Sequence, residues 1–170
     1  MRRITLSQPP AKPAMERALQ DIVKVYCYGC GALNAHGLQI KSFWAGDDVV
    51  CARRPQPHHI GHPGILYGGT IASVVDCHCI WTASAYAHRA AGVEMDGALR
   101  YPYVTAALTV NYRKPVPIDH AIDLRARVVD FGERKAIVQC KVSSRGILCA
   151  EAELVAVRMP VSQPVAEASA

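Results

Sequence analysis

Aromatic residues and clustered charges are scarce in this sequence. Phe, Trp and Tyr together make up 6% of it, and it has no continuous run of Lys or Arg although the formal net charge is +5. Nucleic-acid-binding proteins usually combine a clustered basic surface with aromatic side chains that stack on bases. The composition therefore argues against a nucleic-acid partner.

Long apolar segments and several familiar enzyme motifs are also missing. No apolar run reaches the roughly 18 residues of a membrane-spanning helix, and the N-terminal segment lacks the apolar core of a secretory signal. We therefore expect a soluble, cytoplasmic protein with no membrane span. The sequence has no G-x-S-x-G elbow, P-loop or G-x-G-x-x-G fingerprint, which argues against serine hydrolases, nucleotide hydrolases and Rossmann enzymes.

The seven cysteines are an odd number and do not suggest a disulfide framework. At 51% hydrophobic, the chain can build a core without disulfides, so we expect reduced thiols. Cys27 and Cys30 form a C-x-x-C pair, which is compatible with a zinc site, a redox pair or a structural turn. Further metal ligands would come from elements with no evident reason to converge, namely His36, Cys77, His78 and Cys79. We predict no metal site.

The length of 170 residues suits one domain, at 14–159, between a flexible arm at 1–13 and a flexible tail at 160–170. Hydrophobic periodicity and turn residues predict its elements. They are a helix at 14–25, strands at 38–44 and 49–53, a loop at 55–64, a long helix, a connection at 88–102, and strands at Tyr103–Tyr112, Ile122–Phe131, 135–143 and 148–158. This order indicates an α+β fold whose antiparallel six-stranded sheet covers one long central helix.

The stretch at 62–86 carries the most specific pattern. Pro63 and the doublet Gly68-Gly69 precede about 18 residues with a helical period and no Gly or Pro. A helical wheel predicts a core-facing stripe. Its members are Ile71, Val74, Val75, His78, Thr82, Ala85 and Tyr86. Asp76 lies outside the stripe and is the only formally charged residue between Arg54 and Arg89.

A lone carboxylate on an apolar helix is either structurally partnered or functional, because burying an unpaired charge costs several kcal/mol. The glycine doublet leaves helix-start N–H groups accessible at the positive end of the helix dipole. An oxyanion-stabilising helix start and a solitary carboxylate are the parts that acyl transfer requires.

The helix start and Asp76 are too far apart to serve one carbon atom within one chain. Eight residues of helix span about 12 Å. A second copy of the helix, antiparallel about a two-fold axis, would bring the Gly68-Gly69 end of one chain to Asp76 of the other. The small side chains of Ala72, Ser73 and Ala83 would permit such an approach. We therefore predict a homodimer with two composite sites.

Several features, in this order, resemble the hotdog-fold acyl-CoA thioesterases, in particular the branch of the phenylacetate-pathway thioesterase and the mammalian thioesterase-superfamily members. They are C-x-x-C-G followed by G-L, P-G-x-x-x-G-G followed by an Asp in the helix, and VTAALTVNYRKPVP in the next strand. The similarity covers roughly 27–158. It implies a hotdog fold, a homodimer or a dimer of dimers whose subunits join their sheets, and direct hydrolysis of an acyl-CoA without a cofactor.

The resemblance also assigns roles to individual residues. Gly68 and Gly69 match the family's His-Gly-Gly and would polarise the thioester carbonyl through their N–H groups. Asp76 matches the helix carboxylate, acting as base toward water or as nucleophile, and Thr105 matches a strand Thr that positions the attacking water. Tyr67 stands where the family usually has His, so a role that needs imidazole is absent.

Other residues are expected around the substrate. Arg113 and Lys114 follow the predicted strand Tyr103–Tyr112 and precede Pro115, where they could hold the phosphates of coenzyme A or remain solvated. His62, in a loop with two other histidines, and Tyr67 are expected at the mouth of the site.

The function predicted from these patterns is hydrolysis of a fatty or aromatic acyl-CoA to the free acid and coenzyme A. One alternative is a non-catalytic hotdog module that binds acyl-CoA or a protein, which Tyr67 favours. Another is a hotdog hydratase or dehydratase, for which His62 is the nearest catalytic histidine.

Overall fold

The structure, a computed structural model, describes residues 17–160. The predicted arm at 1–13 and the predicted tail at 160–170, apart from Pro160, lie outside the described residues. The helices are α1 (Leu19–Ile22) and α2 (Gly68–Ala90). The strands are β1 (Phe43–Ala45), β2 (Asp48–Arg53), β3 (Ile60–His62), β4 (Ile65–Leu66), β5 (Tyr103–Tyr112), β6 (Ile122–Phe131), β7 (Lys135–Ser144) and β8 (Ile147–Arg158).

Six of these strands form one antiparallel sheet in the order β1-β2-β6-β7-β8-β5. Alternation along the inner strands buries one face, as in β6, where Ile122, Leu124 and Ala126 are buried between exposed polar residues. The sheet wraps around α2, which packs against β5, β6, β7 and β8. The predicted α+β class and hotdog architecture are confirmed.

The central helix buries most of the predicted stripe and also residues outside it. Six of its seven members are buried, and Tyr86 is half-buried. However, Cys79 and Ala83, which are not members of the predicted stripe, are also fully buried. The second half of α2 is covered by the connection at 91–102 as well as by the sheet, since Ser84 donates a hydrogen bond to the Tyr101 carbonyl. Ala83 is therefore not available to a partner helix, whereas Ala72 and Ser73 are half-buried.

The predicted helix at 14–25 is a single turn at Leu19–Ile22 within the described residues. The backbone is extended at Ala18 and again at Val23. The amide of Leu19 donates to the carbonyl of Ser42 at 2.9 Å, so this segment is tied to the chain before β1. Amphipathic periodicity alone could not reveal this long-range pairing.

The predicted strand at 38–44 is also shorter, because only Phe43–Ala45 pairs with β2. Gln39 has a left-handed backbone with φ of 52°, which interrupts an extended strand. The amides of Leu38 and Ile40 donate instead to the carbonyls of Tyr28 and Gly29. These bonds fold the segment onto the turn that contains Cys27 and Cys30.

Two predicted connections contain regular structure. The loop at 55–64 includes a 3-10 turn at Pro57–His59 and the strand β3, which pairs with β4 just before α2. The connection at 88–102 begins only after Ala90, since α2 continues that far. Neither helix within residues 17–160 is long and apolar enough to cross a membrane.

Candidate active site

Asp76 and Thr105 are joined by a hydrogen bond between α2 and β5. The Thr105 hydroxyl donates to Oδ1 of Asp76. Asp76 is half-buried and Thr105 is exposed, so the pair is accessible from the surface. The other carboxylate oxygen, Oδ2, has no hydrogen-bond partner among the described residues and is free to accept a proton from water.

A β-bulge places Thr105 on the helix side of the sheet. The register of β5 against β8 shifts between Thr105 and Ala107. Strict alternation along β5 would put Thr105 on the face opposite Leu108 and Val110, but both of these side chains pack against the core while Thr105 also reaches α2. The extra residue at the bulge lets β5 direct Thr105, Leu108 and Val110 toward the same side of the sheet. Bulges beside functional sites often redirect side chains in this way.

An apolar cavity of about 320 Å³ lies beside the Asp76–Thr105 pair. Its walls come from the first turns after α1, the middle of α2, the connection before β5 and the start of β5. Besides Asp76 and Thr105, its lining includes Ile80, Trp81, Leu99 and Val104. The volume is at the lower end of the range of about 300–1,000 Å³ that is typical of small-molecule sites.

The start of α2 is held by a tyrosine of β5. Tyr112 donates its hydroxyl proton to the carbonyl of Gly68 at 2.8 Å. Tyr67 precedes the helix without capping it by a side-chain hydrogen bond. A Cβ atom on Gly69 would come within 2.3 Å of the Tyr67 ring, so glycine at this position leaves room for the ring. The first N–H groups of a helix have no intrahelical acceptor and can bind an anionic or polarised oxygen.

A second, polar cavity of about 590 Å³ adjoins this helix start. Tyr67 and Thr70 line it, together with Arg53, His58 and His59. Nε of Arg53 is buried and has no hydrogen-bond partner in the described part of the chain. Burial lowers the pKa of Arg53, and burial together with the neighbouring His58 and Arg53 lowers the pKa of His59. An incoming anion would compensate the buried positive charge of Arg53.

The remaining predicted binding residues lie apart from the Asp76–Thr105 pair. Arg113 and Lys114 are exposed just after β5, and Nε of Arg113 is 3.1 Å from a Glu151 carboxylate oxygen. His62 is exposed on β3 and is absent from the lining of both cavities. Within one chain, therefore, Asp76 and Thr105 are brought together, Gly68, Gly69 and Tyr67 form a separate cluster, and His62 joins neither.

Sequence reasoning did not predict that Cys77 lies beside the C-x-x-C pair formed by Cys27 and Cys30. The Sγ atoms of Cys27, Cys30 and Cys77 all lie within 4.8 Å of one another, in the wall of the apolar cavity. The neighbouring Cys77 thiol lowers the pKa of the Cys30 thiol to about 6, against the effect of burial, and the indole N–H of Trp81, which donates to the Cys30 sulfur, lowers it further. The neighbouring Cys30 thiol and burial raise the pKa of Cys77.

The other proposed metal ligands are engaged elsewhere. His78 is fully buried, accepts a hydrogen bond from the Ser42 hydroxyl at Nδ1, and donates from Nε2 to the Val49 carbonyl. Cys79 is fully buried in the core, where the neighbouring Cys140 thiol and burial raise its pKa, and His36 lines the polar cavity. The bonds of His78 join α2 to the segment before β1 and to β2, which is a structural role.

The chain is similar to known proteins over most of this fold. The family model of the thioesterase superfamily matches residues 63–153. A thioesterase superfamily protein from Shewanella loihica PV-4 is 34% identical, with a TM-score of 0.59 over 74% of this chain and 96% of that chain. The PaaI protein of the E. coli phenylacetic acid degradation operon has a TM-score of 0.60 over 72% of this chain and 81% of that chain. Because PaaI is only 13% identical to this chain in sequence, this similarity is evidence for a shared fold alone.

Among curated relatives, the acyl-coenzyme A thioesterase THEM4 of Xenopus laevis is 29% identical over 96 residues. This match covers 56% of the chain and 37% of that relative, so the chain spans little more than a third of its length. The family model, in contrast, covers more than half of the present chain and includes α2, β5, β6 and β7. The chain therefore belongs to the thioesterase superfamily.

Proposed function

We propose that this protein is an acyl-CoA thioesterase that hydrolyses a fatty or aromatic acyl-CoA to the free acid and coenzyme A. The observation that carries this proposal is the hydrogen bond between Thr105 and Asp76 at an apolar cavity. A carboxylate positioned in this way can activate water while the neighbouring cavity receives the acyl group. The seven free cysteines fit a reducing compartment, and we place the protein in the cytoplasm.

The proposed reaction is a direct hydrolysis. Asp76 accepts a proton from a water molecule that Thr105 helps to position, and the water oxygen attacks the thioester carbonyl carbon. The N–H groups of Gly68 and Gly69 stabilise the oxyanion that develops on the carbonyl oxygen. Collapse of the tetrahedral intermediate breaks the carbon–sulfur bond, and the leaving thiolate recovers the proton from Asp76.

The N–H donors must come from a second subunit, since the helix rise separates Gly68 from Asp76 by about 12 Å. Strand β5 offers a suitable contact. It is an edge strand of the sheet, and most of its residues are exposed, including Val104 at 45%. An unpaired edge of this length invites pairing with another chain.

A two-fold axis near Thr109 would pair two copies of β5 antiparallel. Each strand contacts α2 twice, with Thr105 bound to Asp76 and Tyr112 bound to Gly68. Antiparallel pairing brings the Tyr112 end of one strand beside the Thr105 end of the other. It therefore carries the helix start of one subunit toward Asp76 of its partner, and the dimer contains two composite sites.

The two cavities then suit the two ends of the substrate. The apolar cavity beside Asp76 receives the acyl group, and its volume of about 320 Å³ favours an aromatic or medium-length group over a long chain. The polar cavity at the partner's helix start, with the buried Nε of Arg53, receives the anionic coenzyme A arm. Arg113 is less suited to this role because it already pairs with Glu151, whereas Lys114 remains a contributor at the rim.

A panel of acyl-CoA thioesters with detection of the released thiol tests the proposal. The wild-type protein should release coenzyme A, and Asp76→Asn should reduce turnover at least about 100-fold because the base is lost. Asp130→Asn, an exposed carboxylate on β6, is the matched control and should retain activity. Thiol release by Asp76→Asn at the wild-type rate would refute the assignment. Tight acyl-CoA binding without release by the wild-type protein would favour a non-catalytic binding module.

A further inference from the structure

The cluster of Cys27, Cys30 and Cys77 has no part in the hydrolysis proposed above. Cys27 and Cys30 lie on the turn after α1, and Cys77 lies on α2, fifty residues after Cys27. Their three sulfur atoms are mutually within 4.8 Å, and the Sγ atoms of Cys27 and Cys77 are 3.8 Å apart. All three cysteines are free thiols.

The 3.8 Å between the Cys27 and Cys77 sulfur atoms matches metal coordination. Tetrahedral zinc binds thiolate sulfur at about 2.3 Å, which places two sulfur ligands about 3.8 Å apart. A disulfide requires about 2.05 Å between the sulfurs. We propose that Cys27, Cys30 and Cys77 bind one zinc ion through their thiolates, with the fourth position taken by water or another exogenous ligand.

Two glycines of the C-Y-G-C-G turn make this convergence sterically possible. A Cβ atom on Gly29 would lie 2.2 Å from the Cys77 sulfur, so any side chain at this position would occupy the space of that thiol. A Cβ atom on Gly31 would lie 2.1 Å from the backbone nitrogen of Cys27. The turn can therefore close tightly and admit a sulfur atom from α2.

The cluster is also held in place by its surroundings. The amides of Leu38 and Ile40 donate to the carbonyls of Tyr28 and Gly29, which fixes the turn from outside. Trp81 donates its indole N–H to the Cys30 sulfur at 2.9 Å. Donors of this kind support the thiolate ligands of metal sites and orient them.

Three protein ligands leave one coordination position open. No fourth His, Cys, Asp or Glu ligand atom of the described chain lies within the 4.8 Å group. Soft thiolate ligands favour zinc over magnesium or calcium. The cysteines line the same cavity as Asp76, so the open position is within reach of a small ligand that enters the cavity.

Metal analysis of the untagged full-length protein, purified under reducing conditions without chelator, tests the site. We expect about one zinc ion per chain. After removal of the zinc, titration with Co²⁺ should produce the visible bands of tetrahedral cobalt and a thiolate-to-metal charge-transfer band. Cys77→Ser should lose both the zinc and the bands, whereas Cys149→Ala, a buried cysteine outside the cluster, should retain them.

A second pair of variants keeps every thiol. Gly29→Ala should displace the Cys77 sulfur and abolish metal binding, whereas Gly132→Ala, whose Cβ atom would meet its nearest neighbour at an ordinary 3.6 Å, should not. Circular dichroism establishes whether each variant is folded. If Gly29→Ala does not fold, the metal content of Cys77→Ser alone tests the site.

Two results would overturn the site: no bound metal above the level of Cys77→Ser, or unchanged tetrahedral cobalt bands in Cys77→Ser. Metal binding and thioester hydrolysis are measured separately, so either can fail without the other.

Discussion

The side chain of Tyr112 binds the carbonyl group of Gly68 and leaves the N–H group of Gly68 available to a ligand. The tyrosine hydroxyl donates to the Gly68 oxygen at 2.8 Å. Gly68 is the first residue of α2, so its N–H has no acceptor within the helix. The carbonyl of Gly68 is therefore fixed by Tyr112, while its N–H group, which would polarise the thioester carbonyl, has no acceptor in the helix.

Replacing Gly68 with proline should remove the amide proton and keep the helix. Proline is favoured at the first helical position, and the extended backbone of Tyr67 (φ −59°, ψ 129°) is compatible with a following proline. We expect kcat to fall about 100-fold, the typical effect of losing one oxyanion donor. Gly68→Ala keeps the N–H, and its Cβ atom would meet the Tyr112 ring at 3.5 Å, so it should remain active. Equal activity of the two variants would exclude the Gly68 amide from the reaction.

Mixing two inactive variants should restore activity if each site draws on both subunits. Chains with Asp76→Asn and chains with Gly68→Pro should be co-expressed in equal amounts. Random pairing makes about half of the dimers mixed, each with one intact site of two, so about a quarter of wild-type activity should return. Asp76→Asn mixed with Thr105→Val is the control, because both changes fall on the same half of the site. Recovery in the control, or none in the test mixture, would contradict a composite site.

The Arg53 side chain should matter for coenzyme A but not for a truncated thioester. Its buried Nε has no partner in the described chain, and a phosphate oxygen of coenzyme A in the polar cavity would provide one. Arg53→Met should raise KM for acyl-CoA about tenfold through loss of a charge-assisted hydrogen bond. The kcat/KM for the matching N-acetylcysteamine thioester, which lacks the nucleotide, should not change.

Arg113→Met serves as the comparison for Arg53→Met, since Arg113 pairs with Glu151 on the surface. A larger rise of KM in Arg113→Met than in Arg53→Met would place the coenzyme A phosphates at the end of β5 instead. Thermal unfolding of both variants separates a binding effect from a loss of stability.

Local patterns located the last four strands well. The bounds of β5 and β6 agree with the prediction to the residue, because alternating side chains and the flanking Pro and Gly mark their ends. The bulge in β5 leaves no periodic signature, so alternation alone would assign Thr105 and Leu108 to opposite faces of the strand. The short α1 has a similar cause, since the bond from Leu19 to Ser42 joins residues far apart in sequence.

The cysteine cluster illustrates what a single sequence hides. Cys77 follows Asp76 on the helix, and no local pattern relates it to Cys27. The sequence contains one indication of the cluster, which is Gly29. This glycine leaves room for the Cys77 sulfur in the folded chain. A glycine inside a C-x-x-C turn is informative only once the element packed against that turn is known.

His78 should make the stability of the fold depend on pH. Burial lowers the pKa of His78 to about 4, from 6.5 in an unfolded chain. The unfolded state therefore takes up a proton as the pH falls below 6.5, while the folded state keeps His78 neutral. The stabilisation is complete above pH 6.5 and is lost toward pH 4, by roughly 3 kcal/mol for a shift of this size.

Urea unfolding between pH 7 and 4 measures this dependence as the slope of the unfolding free energy against pH. His78→Gln should be less stable at pH 7, because the bonds to Ser42 and Val49 are weakened, but its slope between pH 6.5 and 4 should be smaller. His36→Gln, an exposed histidine, is the control and should keep the wild-type slope. A wild-type slope in His78→Gln would mean that other groups cause the loss of stability in acid.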